Sequence, residues 1–374
     1  MALQSLIARN NYVAFEECNA IKTHHPLAIQ KIDIFEFLNL AKSNPVFDVR
    51  SPSEFDHAHI PDAISLPLFS DAERTVVGTA YKQESREKAI KIGLDYFGPK
   101  MRWFVEEVES ILSNHQNGNE KIVLIHCWRG GMRSGAVAWL LDLYGFNVYL
   151  LSGGYKRFRN WVLDQFTKDY NVKILGGYTG SGKTEILHFL DTNGTKVLDL
   201  EGIANHKGSA FGNIGMPEQS SQEMFENKLA VHLYHLAVQG ADQTLWMEDE
   251  SQRIGKVMIH PSLWKSMQKA DIYFLEIPFE QRLDFIIQVY GSLDKEKLIA
   301  GILRIQKRLG GLEANNAIKL LEDGNVKESF NILLKYYDKF YLKGLEKKNT
   351  AEKHITYIKC NQVDARENAP KLFL

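Results

Sequence analysis

The sequence predicts two successive α/β units, each built on a parallel sheet, followed by a helical C-terminal region. Three observations predict it. Short apolar, β-rich runs alternate with stretches of helical period, the pattern of strands joined by crossover helices. The alternation ends and restarts near residue 160, and 374 residues are enough for about two domains. In the first unit the strand runs are Pro45 to Val49, Ile122 to His126 and Val148 to Leu151, with a helix over Ser134 to Tyr144. In the second, strands at Val172 to Leu175, Lys196 to Leu200, Thr244 to Met247 and Ile272 to Glu276 alternate with helices at Lys183 to Leu190 and Gln222 to Val238. Past Pro278 the pattern turns helical. These readings place the boundary between domains 1–160 and 161–374.

Composition narrows the class. A 44% hydrophobic content, with 24% charged residues in near balance and 11% aromatics, is that of a folded chain rather than a disordered one. The longest apolar run, Ala136 to Leu143, is interrupted by Asp142 and falls far short of the roughly 18 residues that cross a bilayer. Met1 to Asn10 lacks the features of a secretory signal, so the expectation is a cytoplasmic protein. The formal net charge of −1 offers no broad basic field, and a polyanion would have to be held by a local patch. Cys18, Cys127 and Cys360 are odd in number and widely spaced, which fits neither a disulfide framework nor a zinc site.

Gly177-Tyr-Thr-Gly180-Ser181-Gly182-Lys183-Thr184 matches the phosphate-loop pattern G-x-x-x-x-G-K-[ST] and lies between an apolar strand and a helix, as that motif requires. The glycines let backbone N–H groups converge on phosphate oxygens, the helix N-terminus and Lys183 add positive charge, and the Thr184 hydroxyl suits Mg²⁺. An acid at a neighbouring strand end should complete the metal site. One strand ends in Asp199-Leu-Glu201 and another in Glu248-Asp249-Glu250, with Asp199, Glu248 and Asp249 the candidates for the metal. Arg282, on the helix after Pro278, is a candidate second phosphate ligand. The fold implied is that of P-loop NTPases.

His126-Cys127-Trp-Arg129-Gly130-Gly131-Met-Arg133-Ser134 also stands between a strand and a helix. A loop wrapped around a cysteine at a helix N-terminus aims N–H groups at the sulfur, which lowers the thiol pKa and forms an anion cradle. Arg129 and Arg133 could clamp the anion. Upstream, Phe47-Asp48-Val-Arg50-Ser-Pro-Ser-Glu54-Phe55 and His59-Ile60-Pro61-Asp-Ala63 complete a pattern that resembles the rhodanese domain, with Cys127 at the position of its persulfide-forming cysteine. The spacing Cys127 to Arg133 is C-x₅-R, larger than in ordinary sulfurtransferases and shared with the phosphatase relatives of that fold, so this loop suits an anion of phosphate size.

The pairing of this rhodanese-like domain with Ser152-Gly-Gly-Tyr-Lys-Arg-Phe-Arg, the phosphate loop, and Asp199-Leu-Glu-Gly-Ile-Ala-Asn-His206-Lys-Gly-Ser-Ala-Phe-Gly212 resembles the bacterial tRNA 2-selenouridine synthases. The resemblance runs from about Asp33 into the helical C-terminal region. It implies a transferase acting on wobble 5-substituted 2-thiouridine, first by S-geranylation with geranyl diphosphate, then by exchange of the geranylthio group for selenium from selenophosphate. On that reading the phosphate loop holds the diphosphate with Mg²⁺, and Cys127 accepts selenium. No tightly bound organic cofactor is expected. The partners implied are tRNA and an enzyme supplying selenophosphate.

Tyr155-Lys156-Arg157-Phe158-Arg159-Asn160-Trp161 interleaves cations with aromatics, as suits an unpaired anticodon base and its backbone, and Arg304, Lys307 and Arg308 form a second cluster. Two other classes stay open from residues alone. One is a Cys-dependent phosphatase fused to a nucleotide-binding domain; the other is a nucleotide-gated sensor without catalysis.

Overall fold

The computed structural model describes residues 29–114, 121–238, 244–291, 293–348 and 354–373. Cys18 lies outside them. Two compact units divide the chain: residues 54–61 group with the second, and the division otherwise falls between Arg157 and Phe158.

The first unit carries β1 (Gln30–Ile32), β2 (Val46–Asp48), β3 (Ile64–Ser65), β4 (Ile122–His126) and β5 (Asn147–Leu151), all parallel in the order β1-β5-β4-β2-β3. Every side chain of β2 is buried, as are four of the five in β4. Continuous apolar runs of this kind are what a sheet covered on both faces demands. Phe47, Phe97, Phe104, Val123, Ile125, Val137 and Leu141 form its core. The register sets Asp48 beside His126, one residue before Cys127.

The second unit carries β6 (Val172–Gly177), β7 (Val197–Leu198), β8 (Leu245–Glu248), a small antiparallel pair β9 (Arg253–Ile254) and β10 (Val257–Met258), then β11 (Asp271–Glu276) and β12 (Ile355–Lys359). Its main sheet is parallel with the order β12-β11-β6-β8-β7. Leu175, Ile186, Leu187, Trp246 and Leu275 pack around it. A separate core of Phe211, Leu283, Ile286, Ile302, Leu321 and Phe330 gathers under the C-terminal helices. β12 stands inside the region read as helical; it is an edge strand with three exposed residues and too little apolar pattern to announce itself. No helix among the described residues is long and apolar enough to cross a membrane.

β4 and β6 are the central strands of their sheets. Each leads at its C-terminal end into one of the two motif loops, where ligands gather in open parallel sheets.

Candidate functional site

The first loop leaves β4 and enters the helix Met132–Tyr144. Cys127 is 3% exposed, and its Sγ lies 3.2 Å from Ser134 Oγ and 3.4 Å from the Gly131 N–H. Burial alone would push the thiol up. Hydrogen bonds from the Ser134 hydroxyl and from the amides of Ser134, Arg129 and Gly131 outweigh it and hold the Cys127 thiol below its usual range. Cys360, by contrast, is buried and pushed up, the setting of an inert thiol. Gly154, at φ +58°, supports the loop from beneath, because a Cβ there would collide with the Cys127 carbonyl and the Gly130 amide. Arg129 is exposed and Arg133 half-buried on the first helical turn.

Among the described residues Ser134 is the side chain that hydrogen-bonds to the sulfur, which gives a first expected result. Ser134→Ala shifts the pH profile of Cys127 alkylation upward and slows the reaction at neutral pH, followed by mass spectrometry of the Cys127 peptide; an unmoved profile would remove Ser134 from the account.

Beneath the loop Arg50 and Asp48, both buried, meet through Arg50 Nε at 3.0 and 2.9 Å and Nη2 at 2.5 Å. His126 Nε2 is 3.7 Å from the same carboxylate, and the Arg50 guanidinium lies 3.9 Å over the Tyr155 ring. Burial would raise Asp48, but the charge of His126 and the bonds from Arg50 overcome that and keep its carboxyl below the usual range. Arg50→Met leaves Asp48 buried without its main partner and should destabilise the fold by about 3–5 kcal/mol. Urea denaturation of the full chain reads it out; a midpoint unchanged from wild type would contradict the role given to this pair.

The second loop leaves β6 and enters the helix Lys183–Thr192. Gly180 and Gly182 adopt φ of +81° and +67°, the left-handed region that turns successive amides inward. Lys183 Nζ lies 3.1 Å from the Gly177 carbonyl, across the loop. Thr184 Oγ1 is 3.3 Å from Glu201 and 3.4 Å from Glu248. Burial pushes Glu248 well above the usual carboxylate range, reinforced by the charges of Glu201 and Asp199. Glu250 rises for the same reason beside Glu201. Glu201 is raised by burial too, partly offset by its bond with Glu250 and the charge of Lys183.

The structure corrects three assignments around this loop. Asp199 caps the short helix Leu200–Ala204, accepting from the Gly202 N–H at 2.7 Å, and also meets His188 at 3.1 Å; Glu201, two residues on, is the acid at Thr184. Asp249 accepts from the Tyr341 hydroxyl instead of reaching Thr184. Arg282 is 3% exposed, forked onto Asp338 at 2.8 and 2.6 Å, and donates to the Thr179 carbonyl at 3.0 Å. It braces the loop's backbone rather than facing an anion. Asp338 and Tyr341 lie outside every motif of the sequence, and no local pattern points to them. A cleft of about 500 Å³ lined by Tyr170, Asn171, Lys265 and Lys269 opens at the opposite ends of β6 and β11 and contains no residue of the loop.

The interleaved stretch is also revised. Tyr155, Phe158 and Trp161 are at most 2% exposed and cannot stack on a base. Arg159 is paired with Glu226 at 2.6 Å and Asn227 at 2.7 Å. Lys156 and Arg157 are exposed. On the helix Lys295–Leu309, Arg304 bonds to the Ala210 carbonyl at 3.0 Å and Asn213 at 2.9 Å, Arg308 lies 5.8 Å from the Phe340 ring, and Lys307 is exposed.

Comparison with known proteins adds to this geometry. Residues 170–363 match the model of the tRNA 2-selenouridine synthase AAA domain, and residues 36–160 that of the rhodanese-like domain. The tRNA 2-selenouridine synthase of Shewanella frigidimarina is 34% identical over 83% of this chain and 90% of its own length. That of a Sulfurovum species is 32% identical over 82% of this chain and 90% of its own. Among solved structures, the N-terminal domain of a putative ATP/GTP binding protein from Clostridium difficile 630 is 39% identical, with a TM-score of 0.33, and covers 36% of this chain and 99% of that one.

Proposed function

The chain belongs to the tRNA 2-selenouridine synthase family and is a tRNA-modifying enzyme; we propose that it converts wobble 5-substituted 2-thiouridine to 2-selenouridine through an S-geranylated intermediate. One observation carries this reading. A single chain holds two anion cradles of different chemistry, one built around a lowered-pKa thiol and one around a phosphate loop with a carboxylate cluster.

The phosphate loop suits geranyl diphosphate. Its amides and Lys183 neutralise the diphosphate, which turns it into a better leaving group when the thiocarbonyl sulfur attacks the geranyl C1. Thr184, Glu248 and Glu201 fit Mg²⁺, because the carboxyls of Glu201, Glu248 and Glu250 disfavour one another's charge and would be relieved by a divalent cation. Among the described residues no three His, Cys, Asp or Glu side chains form a ready ligand cage. Mg²⁺ therefore suits the site as an ion shared with substrate phosphates, whose chemistry is to offset the charge of the departing diphosphate.

The thiolate loop suits selenophosphate. Its amides and the cations Arg129 and Arg133 match a tetrahedral dianion, and Cys127 is the nucleophile: its thiolate attacks phosphorus and takes the phosphoryl group as the P–Se bond breaks, the freed selenide adds at C2 of the S-geranylated base and expels geranylthiolate, and water then clears the phosphoryl group from the sulfur. The tRNA backbone meets the exposed cations Lys156, Arg157 and Lys307, a small set that fits the near-zero net charge of the chain.

The test is nucleoside mass spectrometry of tRNA carrying 2-thiouridine after incubation with the chain, geranyl diphosphate and selenophosphate. The reading requires 2-selenouridine, with S-geranylated nucleoside when selenophosphate is withheld. The C-x₅-R spacing and Ser134 beside the sulfur favour one second reading, a Cys-dependent phosphatase. Hydrolysis of an aryl phosphate without any tRNA product would select it.

A further inference from the structure

The aromatic side chains that the sequence offered for stacking are buried, yet the thiolate loop presents another. Trp128, the residue after Cys127, is 39% exposed. It is held nonetheless. Its ring lies 5.7 Å from that of Tyr155 at a tilt of 37°, and Tyr155 is itself fixed under the Arg50 guanidinium at 3.9 Å. Its carbonyl accepts the Lys156 N–H at 2.9 Å, while the Cys127 carbonyl accepts that of Tyr155 at 2.8 Å. The indole is anchored on one side and open to solvent on another.

Its surroundings match a nucleic acid. Arg129 follows it in the loop, and Lys156 and Arg157 stand exposed on the first turn of the helix that its carbonyl joins, so three cations flank the indole where a phosphodiester backbone would run. Trp128 directly follows Cys127, so a base stacked on it would lie against the loop that holds the sulfur. Any base has a π-face for such a platform, and a large, rigid indole supplies the area that a uracil, with its single ring, needs.

We propose that Trp128 is the platform on which the target uracil stacks when it enters the thiolate loop, and that this stacking positions the base's C2 for Cys127. The inference rests on the reading that this loop acts on tRNA, and it adds the residue that recognises the unpaired base.

The experiment measures binding of two synthetic anticodon stem-loops, one with 2-thiouridine at the wobble position and one abasic there, to wild-type chain, Trp128→Ala and Trp128→Phe. Trp128→Ala weakens binding of the thiouridine stem-loop on the order of tenfold, the scale of one base stack, and Trp128→Phe recovers most of it. The abasic stem-loop binds wild type with the same loss, and Trp128→Ala adds no further loss to it. Alkylation of Cys127 at neutral pH, measured on the same samples, stays at the wild-type rate. Equal weakening of both stem-loops would overturn the proposal, since the contact would then be with the backbone. So would wild-type binding by Trp128→Ala, or a fall in Cys127 alkylation that tracks the binding loss in both variants, which would make the indole a support of the loop. A wild-type chain that shows the base-dependent binding and forms no selenouridine would leave the platform standing and overturn the reaction proposed for the site.

Discussion

Cys127→Ser abolishes selenium incorporation, lowering it by about three orders of magnitude or more, while S-geranylated tRNA accumulates. The size follows from removing a nucleophile on which the whole constellation converges, a loss that neighbouring groups cannot offset. A serine hydroxyl in the same place has none of the thiol's readiness to ionise. The depressed thiol depends on bonds from Ser134 and the loop amides that serve an anion at that point. The fold should tolerate the change, because serine is close to cysteine in volume and can keep the hydrogen bond to Ser134. Nucleoside digests of tRNA treated with the variant and both co-substrates measure it. Retained selenouridine would remove Cys127 from the chemistry, and loss of the geranylated nucleoside as well would show that the two loops do not divide the work.

Lys183→Ala strikes the other half. Its ammonium lies across the phosphate loop, 3.1 Å from the Gly177 carbonyl, where a diphosphate would receive it. Removing one preorganised charge from a site where negative charge develops costs roughly 10²–10³ in rate. The acids of the cluster add to the effect. Lys183 is one of the charges offsetting Glu201, Glu248 and Glu250, so its loss drives these carboxyls further toward the neutral form and makes them poorer partners for Mg²⁺. Geranyl transfer in single-turnover assays, with geranyl diphosphate saturating, reads the rate directly. A rate within threefold of wild type would contradict the role given to the phosphate loop.

How far the sequence reaches can be judged residue by residue. The strand cores were legible because parallel sheets buried on both faces leave unbroken apolar runs such as Ile122 to His126 and Leu245 to Met247. Both loops were legible because their function needs glycine, cation and nucleophile at fixed offsets. The acids were harder. Both acidic strand ends contribute one residue to Thr184, but which residue depends on side-chain direction past the strand: Asp199 turned to capping a helix, and Glu201 took the position. Arg282 and Asp249 found partners on the helix Val326–Lys348, Asp338 and Tyr341, 56 and 92 residues away, a pairing that no local pattern encodes. The aromatics of the stretch Tyr155 to Trp161 belong to the core for a reason the sequence carries. Tyr155, Phe158 and Trp161, continued by Val162 and Phe166, recur at the three- and four-residue spacing of an inward helical stripe. The exposed aromatic sat inside the motif already singled out, where Trp128 passed as a filler position.

The central claim is that one loop prenylates and the other delivers selenium. It is tested most directly by giving Lys183→Ala tRNA that has already been S-geranylated, prepared with Cys127→Ser, together with selenophosphate and no geranyl diphosphate. The division of work predicts 2-selenouridine at close to the wild-type rate in the nucleoside digest. Unconverted geranylated nucleoside, with the wild-type enzyme active on the same tRNA, would contradict it.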